Sequence, residues 1–357
     1  MIILSVEAIF KKAVSGERVS ESEAVKLFNK AELLPLGKVA LEIRNKIKPE
    51  PIVSFVIDRN INYTNICLVG CRFCAFYRGE NHNEGYVITE QQLFEKIQET
   101  IDHGGTQILM QGGLNPHLKF NDILQMLQNI KNNFDIHIHS FSPPEVVHFS
   151  QQAGLTIKET LERLRSAGLD SLPGGGAEIL VDRVRKYISP RKISWKQWMN
   201  VMDEAHQLGM KTTATMMFGS VETIEERVKH MIHVRDQQDK TGGFTAFIPW
   251  SFQPSNTALG GLSATGHDYL KTLAIARIVL DNVPNIQASW VTQGAKMAQV
   301  SLFFGANDFG GTMFEENVVR AAGVSHRVPL DEIIHCIKDA GYNAVQRRTD
   351  YSFIKAY

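Results

Sequence analysis

The sequence predicts an α/β fold in which eight parallel strands, alternating with helices, close into a (β/α) barrel of TIM type. Three observations predict it. Short apolar runs recur along the 357 residues, helix-length segments separate most of them, and Gly, Pro or polar residues follow nearly every run. Parallel strands need a long crossover, so strand–helix alternation implies a parallel sheet, and eight such units would close a barrel.

Residues 1–50 are expected to form a helical N-terminal extension. The apolar start, Met1–Phe10, contains Glu7 and is followed by Lys11 and Lys12. That order is wrong for a secretory leader, so the segment reads as an ordinary helix. Ser20 with Glu23 has the capping-box pattern, and Ala24, Leu27 and Phe28 then recur at helical spacing. Pro49 and Pro51 close the lead-in.

The barrel is expected over residues 51–315. Its strands read as Phe55–Ile61, Gln107–Met110, Ile136–His139, Leu169–Leu172, Thr212–Phe218, Phe244–Ile248, Ile286–Trp290 and Val300–Phe304. Helical segments read as Glu90–Asp102, Ile157–Ala167, Trp195–Leu208 and Ile224–Gln237. Residues 316–357 are expected as a C-terminal helical tail packed on the barrel. In such barrels chemistry sits at the C-terminal ends of the strands. The runs Gly112-Gly113, Ser142-Pro143-Pro144, Pro173 to Gly176, Gly219-Ser220, Pro249-Trp250 and Gly305 to Asp308 would line that rim.

Composition narrows the function. Hydrophobic residues make up 43% and charged residues 21%, which excludes a disordered or fibrous chain. Lys+Arg and Asp+Glu both count 38, and no basic stripe stands out, so nucleic acid is not an expected partner. No uncharged apolar run is long enough to span a membrane. Three of the four cysteines crowd between Cys67 and Cys74, where a disulfide framework would spread them. Reduced thiols in the cytoplasm, ready for metal, are expected instead.

The cysteines carry the chemistry. Cys67, Cys71 and Cys74 are spaced C-x3-C-x2-C directly after the first strand. Three soft thiolates on one tight loop suit three irons of a cubane cluster. With no fourth cysteine nearby, one iron is left free of a protein ligand and open to a small molecule. Gly70 would let the loop turn, and Phe73 would set an apolar face beside the open iron. Two alternatives stay open: a zinc knot completed by His82, or three unliganded thiols. Cys336 lies in an amphipathic pattern with Ile333, Ile334 and Ile337 and reads as a buried hydrophobe.

With the aromatic Phe73 between the last two cysteines, this motif resembles the signature of the radical SAM superfamily. The resemblance implies a [4Fe–4S] cluster with one iron not ligated by cysteine. S-adenosylmethionine (SAM) would chelate that iron and yield a 5′-deoxyadenosyl radical on reduction. Gln111-Gly112-Gly113 stands where the superfamily has the glycine-rich contact to SAM, with Leu114 where a Glu is usual. Glu178, ending the run from Ser171, stands where members place a polar residue on the SAM ribose. A narrower resemblance spans nearly the whole chain. Asp58 to Asn65, Cys74 to Arg78, Pro173 to Glu178, Ser289 to Gly294 and Phe304 to Gly310 are similar to the cyclic dehypoxanthinyl futalosine synthase family of menaquinone biosynthesis. Its kin are aminofutalosine synthase and the two halves of the deazaflavin synthase.

That family implies a small nucleoside–benzoate substrate and a reductant such as flavodoxin or ferredoxin. It also implies hydrogen abstraction at ribose C4′, attack on the benzoate ring, and loss of one electron and one proton. The last step wants a base. His137 and His139 alternate on the third strand and so share a face. Either could serve from the lumen, or both could be structural. Glu145 and Asp308 are further candidates on the rim. Arg78 and Arg183 are candidates for a substrate carboxylate, Tyr63 for lining the cofactor site, and Trp290 for stacking on an aromatic ring.

Overall fold

A computed structural model describes residues 4–357. Three helices, Val6–Val14, Glu21–Lys30 and Leu33–Ile47, precede the first strand; Met1 to Ile3 of the expected first helix lie outside the described residues. The capping box forms, with Ser20 N–H donating to Glu23 at 2.7 Å and Glu23 N–H to Ser20 Oγ at 3.3 Å. The buried faces of these helices, including Ile9, Leu27 and Leu36, join the larger of two apolar cores.

The expected strand Phe55–Ile61 divides in two, β1 (Ile52–Val56) and β2 (Asp58–Ile61). Then come β3 (Gln107–Met110), β4 (His137–Ser140), β5 (Ser171–Leu172), β6 (Lys211–Phe218), β7 (Phe244–Ser251) and β8 (Asn285–Ile286). Strands β2 to β8 make one curled, wholly parallel sheet in sequence order. Helices cross over between most neighbours, among them Glu90–Asp102, Phe120–Asn133, Ile157–Ala167, Trp195–Gln207 and Ile224–Thr241. Leu93, Ile97, Leu127, Leu161 and Leu164 pack this side of the sheet into the second core.

Two expectations change at the far end. Val300–Phe304 is not a strand: it is split between the helix Ala295–Ser301 and a 3-10 turn, Leu302–Phe304. Ala295, Ala298, Ser301 and Leu302 are buried at helical spacing while Phe303 is exposed, so the apolar run packs as a helix face. The Phe304 ring fills the space that a Cβ on Gly37 would take, 2.5 Å away. The strand there is instead β9 (Asp308–Gly311), whose first residue the sequence reading placed in the rim run Gly305 to Asp308.

Residues 316–357, expected to be helical, hold two short helices and then β10 (Asn343–Arg347) and β11 (Phe353–Ala356). β1 pairs parallel with both β10 and β9, and β11 runs antiparallel to β10. A single bridge, Gln287 to Asp308, links the β8 end to β9. Among the described residues, no helix is long and apolar enough to cross a membrane.

Candidate active site

A cavity of about 400 Å³ occupies the lumen and opens at the C-terminal ends of the strands. Its wall follows from strand periodicity, since alternate residues face one side. Asp58, Asn60 and Asn62 line it from β2 and the residue beyond, Gln107, Leu109 and Gln111 from β3 and the residue beyond, and Thr213 and Thr215 from β6. Polar side chains at so many inward positions leave a lumen fit for hydrogen bonding.

The cysteine loop is held at its base. Cys67 N–H donates to the Arg78 carbonyl at 2.9 Å and Arg78 N–H to the Asn65 carbonyl at 2.8 Å. Gly70 turns the loop with φ +59°, which favours glycine. All three thiols line the cavity. The Leu114 amide donates to Cys67 Sγ at 3.4 Å, and the Phe76 and Tyr77 amides favour the ionised form of Cys74. Such donors suit sulfur as an acceptor, the state a ligating thiolate needs. Burial pushes the Cys71 thiol up to about 12, a cost that a cationic metal group would offset. Among the described residues, no three His, Cys, Asp or Glu side chains converge where one ion could sit, and His82 is exposed. The three thiols share one loop and one cavity wall, and amide donors reach Cys67 and Cys74, the donor set a thiolate-bound cluster would use.

Beside the loop, Gln111, Gly112 and Gly113 line the cavity. A Cβ on Gly113 would lie 2.8 Å from Cys67 Cβ and clash with the Ile66 carbonyl. A Cβ on Gly112 would meet the Tyr63 ring at 2.6 Å. Close approach, not chain flexibility, requires these glycines. Tyr63 itself stands behind Gly112 and off the cavity wall. Phe73 lines the cavity with Lys192 Nζ 5.2 Å from its ring centre. Glu178 also lines it, with Lys192 at 2.9 Å and Arg185 at 3.5 Å. Its φ of +40° is unusual for a residue with a side chain.

The base candidates separate sharply. His139 lines the cavity and is buried; His137 shares its strand face but lies off the cavity wall, half-buried. Both rings bond one oxygen, Ser171 Oγ, His137 through Nε2 at 2.7 Å and His139 through Nδ1 at 2.6 Å. Burial pushes His139 down to about 3, so it is neutral near pH 7. Glu145 lines the cavity, yet four donors occupy its carboxylate: Tyr63 Oη, Gly112 N–H, and the Ser142 N–H and Oγ. Asp308 is fully buried off the cavity wall, where Arg347 binds both its oxygens at 2.5 and 3.0 Å and Ser54 adds a third bond. It is the anion of an ion pair, not a free base.

The expected carboxylate-binding arginines are also engaged elsewhere. Arg78 pairs with Glu84 and with carbonyls of its own loop, and Arg183 pairs with Glu226 on the surface. Trp290 lines the cavity and donates to the Gly311 carbonyl at 2.9 Å, from the start of a short helix and not from a strand end.

Four residues were not picked out as site residues from the sequence. Asp58 is a lumenal carboxylate without a cation in hydrogen-bond reach; Gln107 and the Met313 amide are its donors, and burial raises it to about 6. Its place on the same strand face as Asn60 and Asn62 was the available signal. Ser171, Lys192 and Gln287 carry no such signal, because only the fold brings them to the site.

Residues 61–234 match the radical SAM superfamily and residues 241–357 the CofH/MqnC C-terminal region. The cyclic dehypoxanthine futalosine synthase of Halalkalibacterium halodurans is 50% identical over 99% of this chain and 96% of its own length. That of Streptomyces coelicolor is 42% identical over 98% and 88%. The 5-amino-6-(D-ribitylamino)uracil–L-tyrosine 4-hydroxyphenyl transferase of Methanopyrus kandleri is 41% identical over 99% and 98%. The fold is shared with the FeFe-hydrogenase maturase HydG from Carboxydothermus hydrogenoformans, at 18% identity and TM-score 0.77 over 97% and 80% of the two chains. Methylornithine synthase shares it too, at 17% identity and TM-score 0.72 over 94% and 96%. The chain belongs to the radical SAM superfamily, in the family that the CofH/MqnC C-terminal region marks.

Proposed function

We propose that this protein is a radical SAM cyclase that converts dehypoxanthine futalosine into cyclic dehypoxanthinyl futalosine in menaquinone biosynthesis. The reaction removes the C4′ hydrogen of the ribose, joins that carbon to the benzoate ring, and sheds one electron and one proton. A [4Fe–4S] cluster with SAM on its open iron supplies the hydrogen-abstracting chemistry when bound. The observation that carries this reading is one continuous cavity with the thiols of Cys67, Cys71 and Cys74 in its wall and a hydrogen-bonding lumen beside them. Likeness to the two futalosine synthases over nearly the full length supports the substrate.

In this reading the three cysteines hold the cluster, and Gln111, Gly112 and Gly113 present backbone to SAM. Glu178, fixed by Lys192 and Arg185, meets the ribose hydroxyls, and Phe73 covers the apolar side. The substrate lies along Thr213, Thr215 and Gln287 with Trp250 and Trp290 beside its ring. Packing the lumen with substrate keeps water from a reactive carbon centre. An external one-electron donor such as a flavodoxin or ferredoxin serves as reductant. We divide the chain into an extension (1–50), the barrel (51–315) and a tail (316–357), and count β9 as the eighth strand; its bridge to Gln287 supports that count.

The test is anaerobic reconstitution followed by dehypoxanthine futalosine, SAM and a strong reductant. Cyclised product with stoichiometric 5′-deoxyadenosine is expected, and Cys71→Ala should abolish both while the protein stays folded. Product formed only from tyrosine and 5-amino-6-(D-ribitylamino)uracil would overturn the assignment.

A further inference from the structure

His139, Ser171 and His137 form an unbroken chain of hydrogen bonds that begins on the cavity wall and ends outside it. The register of β4 and β5 builds it. His139 is the residue of β4 that pairs with Ser171 of β5, and His137 reaches the same hydroxyl from two positions earlier on the same face. Ser171 is 2% exposed, so its bonds to the two rings are sealed from water. His139 Nε2 and His137 Nδ1 have no hydrogen-bond partner among the described residues. The first belongs to the ring that lines the cavity, the second to a half-buried ring near Asp170, Lys131 and Asp350.

Ser171 Oγ has one proton to give, and the two rings are its only hydrogen-bond partners among the described residues. Its proton and both short contacts are satisfied together when one imidazole donates to Oγ and the other accepts. Two neutral arrangements meet that condition, and they differ by one concerted shift of protons. We propose that this chain is a proton relay that drains the cavity, with His139 as the group that takes the proton released when the cyclised ring regains aromaticity. The inference rests on the function proposed above.

The shift balances. His139 Nε2 gains a proton from the substrate ring carbon as that C–H bond breaks, its pair of electrons restoring the ring. His139 Nδ1 passes its own proton to Ser171 Oγ, which passes its proton to His137 Nε2, and His137 Nδ1 gives one to solvent. One proton enters and one leaves, and both histidines are neutral before and after. The accompanying single electron leaves separately to a one-electron acceptor of the iron–sulfur or flavin class. Once product leaves and the cavity opens to water, His139 Nε2 gives its proton to that water and His137 Nδ1 takes one from solvent. The two inner protons shift back through Ser171 Oγ, which restores the first arrangement. A histidine that resists holding a second proton suits a relay better than a store. Around His139 the charged or titratable neighbours are His137 and Arg347. Among the carboxylates nearby, Glu145 is engaged by four donors, Asp308 by Arg347 and Glu178 by Lys192, while Asp58 is held by Gln107 and the Met313 amide.

Ser171→Ala cuts the chain while leaving both rings, and Ser171→Thr keeps a hydroxyl. In the reconstituted enzyme, Ser171→Ala should keep 5′-deoxyadenosine formation within about twofold, while cyclised product falls about tenfold or more. Ser171→Thr should restore most of the product. Wild-type product formation should show a solvent deuterium effect that 5′-deoxyadenosine formation lacks. Nitrogen-15 spectra of histidine-labelled protein give a second readout that needs no turnover. Ser171→Ala should change the tautomer balance of His137 and His139 together. A folded Ser171→Ala variant with wild-type product yield, or with unchanged histidine tautomers, would overturn the relay. If the wild type makes no cyclised product but the histidines respond together, the relay stands and the assigned reaction fails.

Discussion

Tyr63 donates its hydroxyl to Glu145 across 2.7 Å, and both side chains are closed to water. The same carboxylate receives the Gly112 amide and both donors of Ser142, so one buried anion fastens the cysteine strand, the glycine turn and the next rim loop. Removing one donor leaves a buried acceptor short of a partner. Tyr63→Phe should therefore lower stability by about 1–3 kcal/mol, read by denaturant unfolding. An unchanged midpoint would remove this role from the pair.

Gly113→Ala should act on the metal site and leave the fold in place. Its Cβ would press on the Ile66 carbonyl and on Cys67, shifting the first thiol. Iron and sulfide content after reconstitution should fall well below wild type while circular dichroism is retained. Full loading of Gly113→Ala would show that the loop has room to spare.

Asp58 makes stability depend on pH in a particular direction. Its folded value of about 6 lies above the ordinary 3.8, because burial disfavours the charge. Its contribution to stability is fully present below pH 3.8 and lost as pH rises through 6. At neutral pH the buried charge costs up to about 3 kcal/mol by the same relation. Asp58→Asn should raise the thermal midpoint at pH 7.5, and its advantage should vanish below pH 4. A variant less stable than wild type at pH 7.5 would contradict this.

Asp308 and Arg347 should behave as structure. Arg347→Met leaves a buried carboxylate unpaired and should cost about 3–5 kcal/mol. Asp308→Asn combined with Arg347→Met should recover part of it. For Asp308→Asn, turnover per folded molecule should stay near wild type; a specific collapse of turnover in that folded variant would return the residue to the reaction.

The strands with clear alternation or turn chemistry were legible in the sequence. Gln107–Met110 and the helices Glu90–Asp102 and Ile157–Ala167 have the expected bounds because local pattern and tertiary burial agree. Val300–Phe304 misled because a short apolar run does not reveal its period, and burial against the N-terminal helices decided for helix. Asp308–Gly311 was missed as a strand since its glycines serve close packing against Asp58 and Gln287. Within the site, the thiols could be found because spacing along one loop is local. The engagement of Glu145 and Asp308 was invisible, since their partners Tyr63 and Arg347 lie far off in sequence.

The pairing of Ile52–Phe55 with Asn343–Gln346 sets a timetable for assembly. Residues made early wait at an unfilled edge until nearly three hundred more have been synthesised, and contacts of such long range slow folding. During translation the exposed backbone beside Val53 and Phe55 is a site for mispairing with other chains. A chaperone that shields this edge should raise the yield of native protein more than one acting on the self-contained helical layer around Leu127 and Leu161.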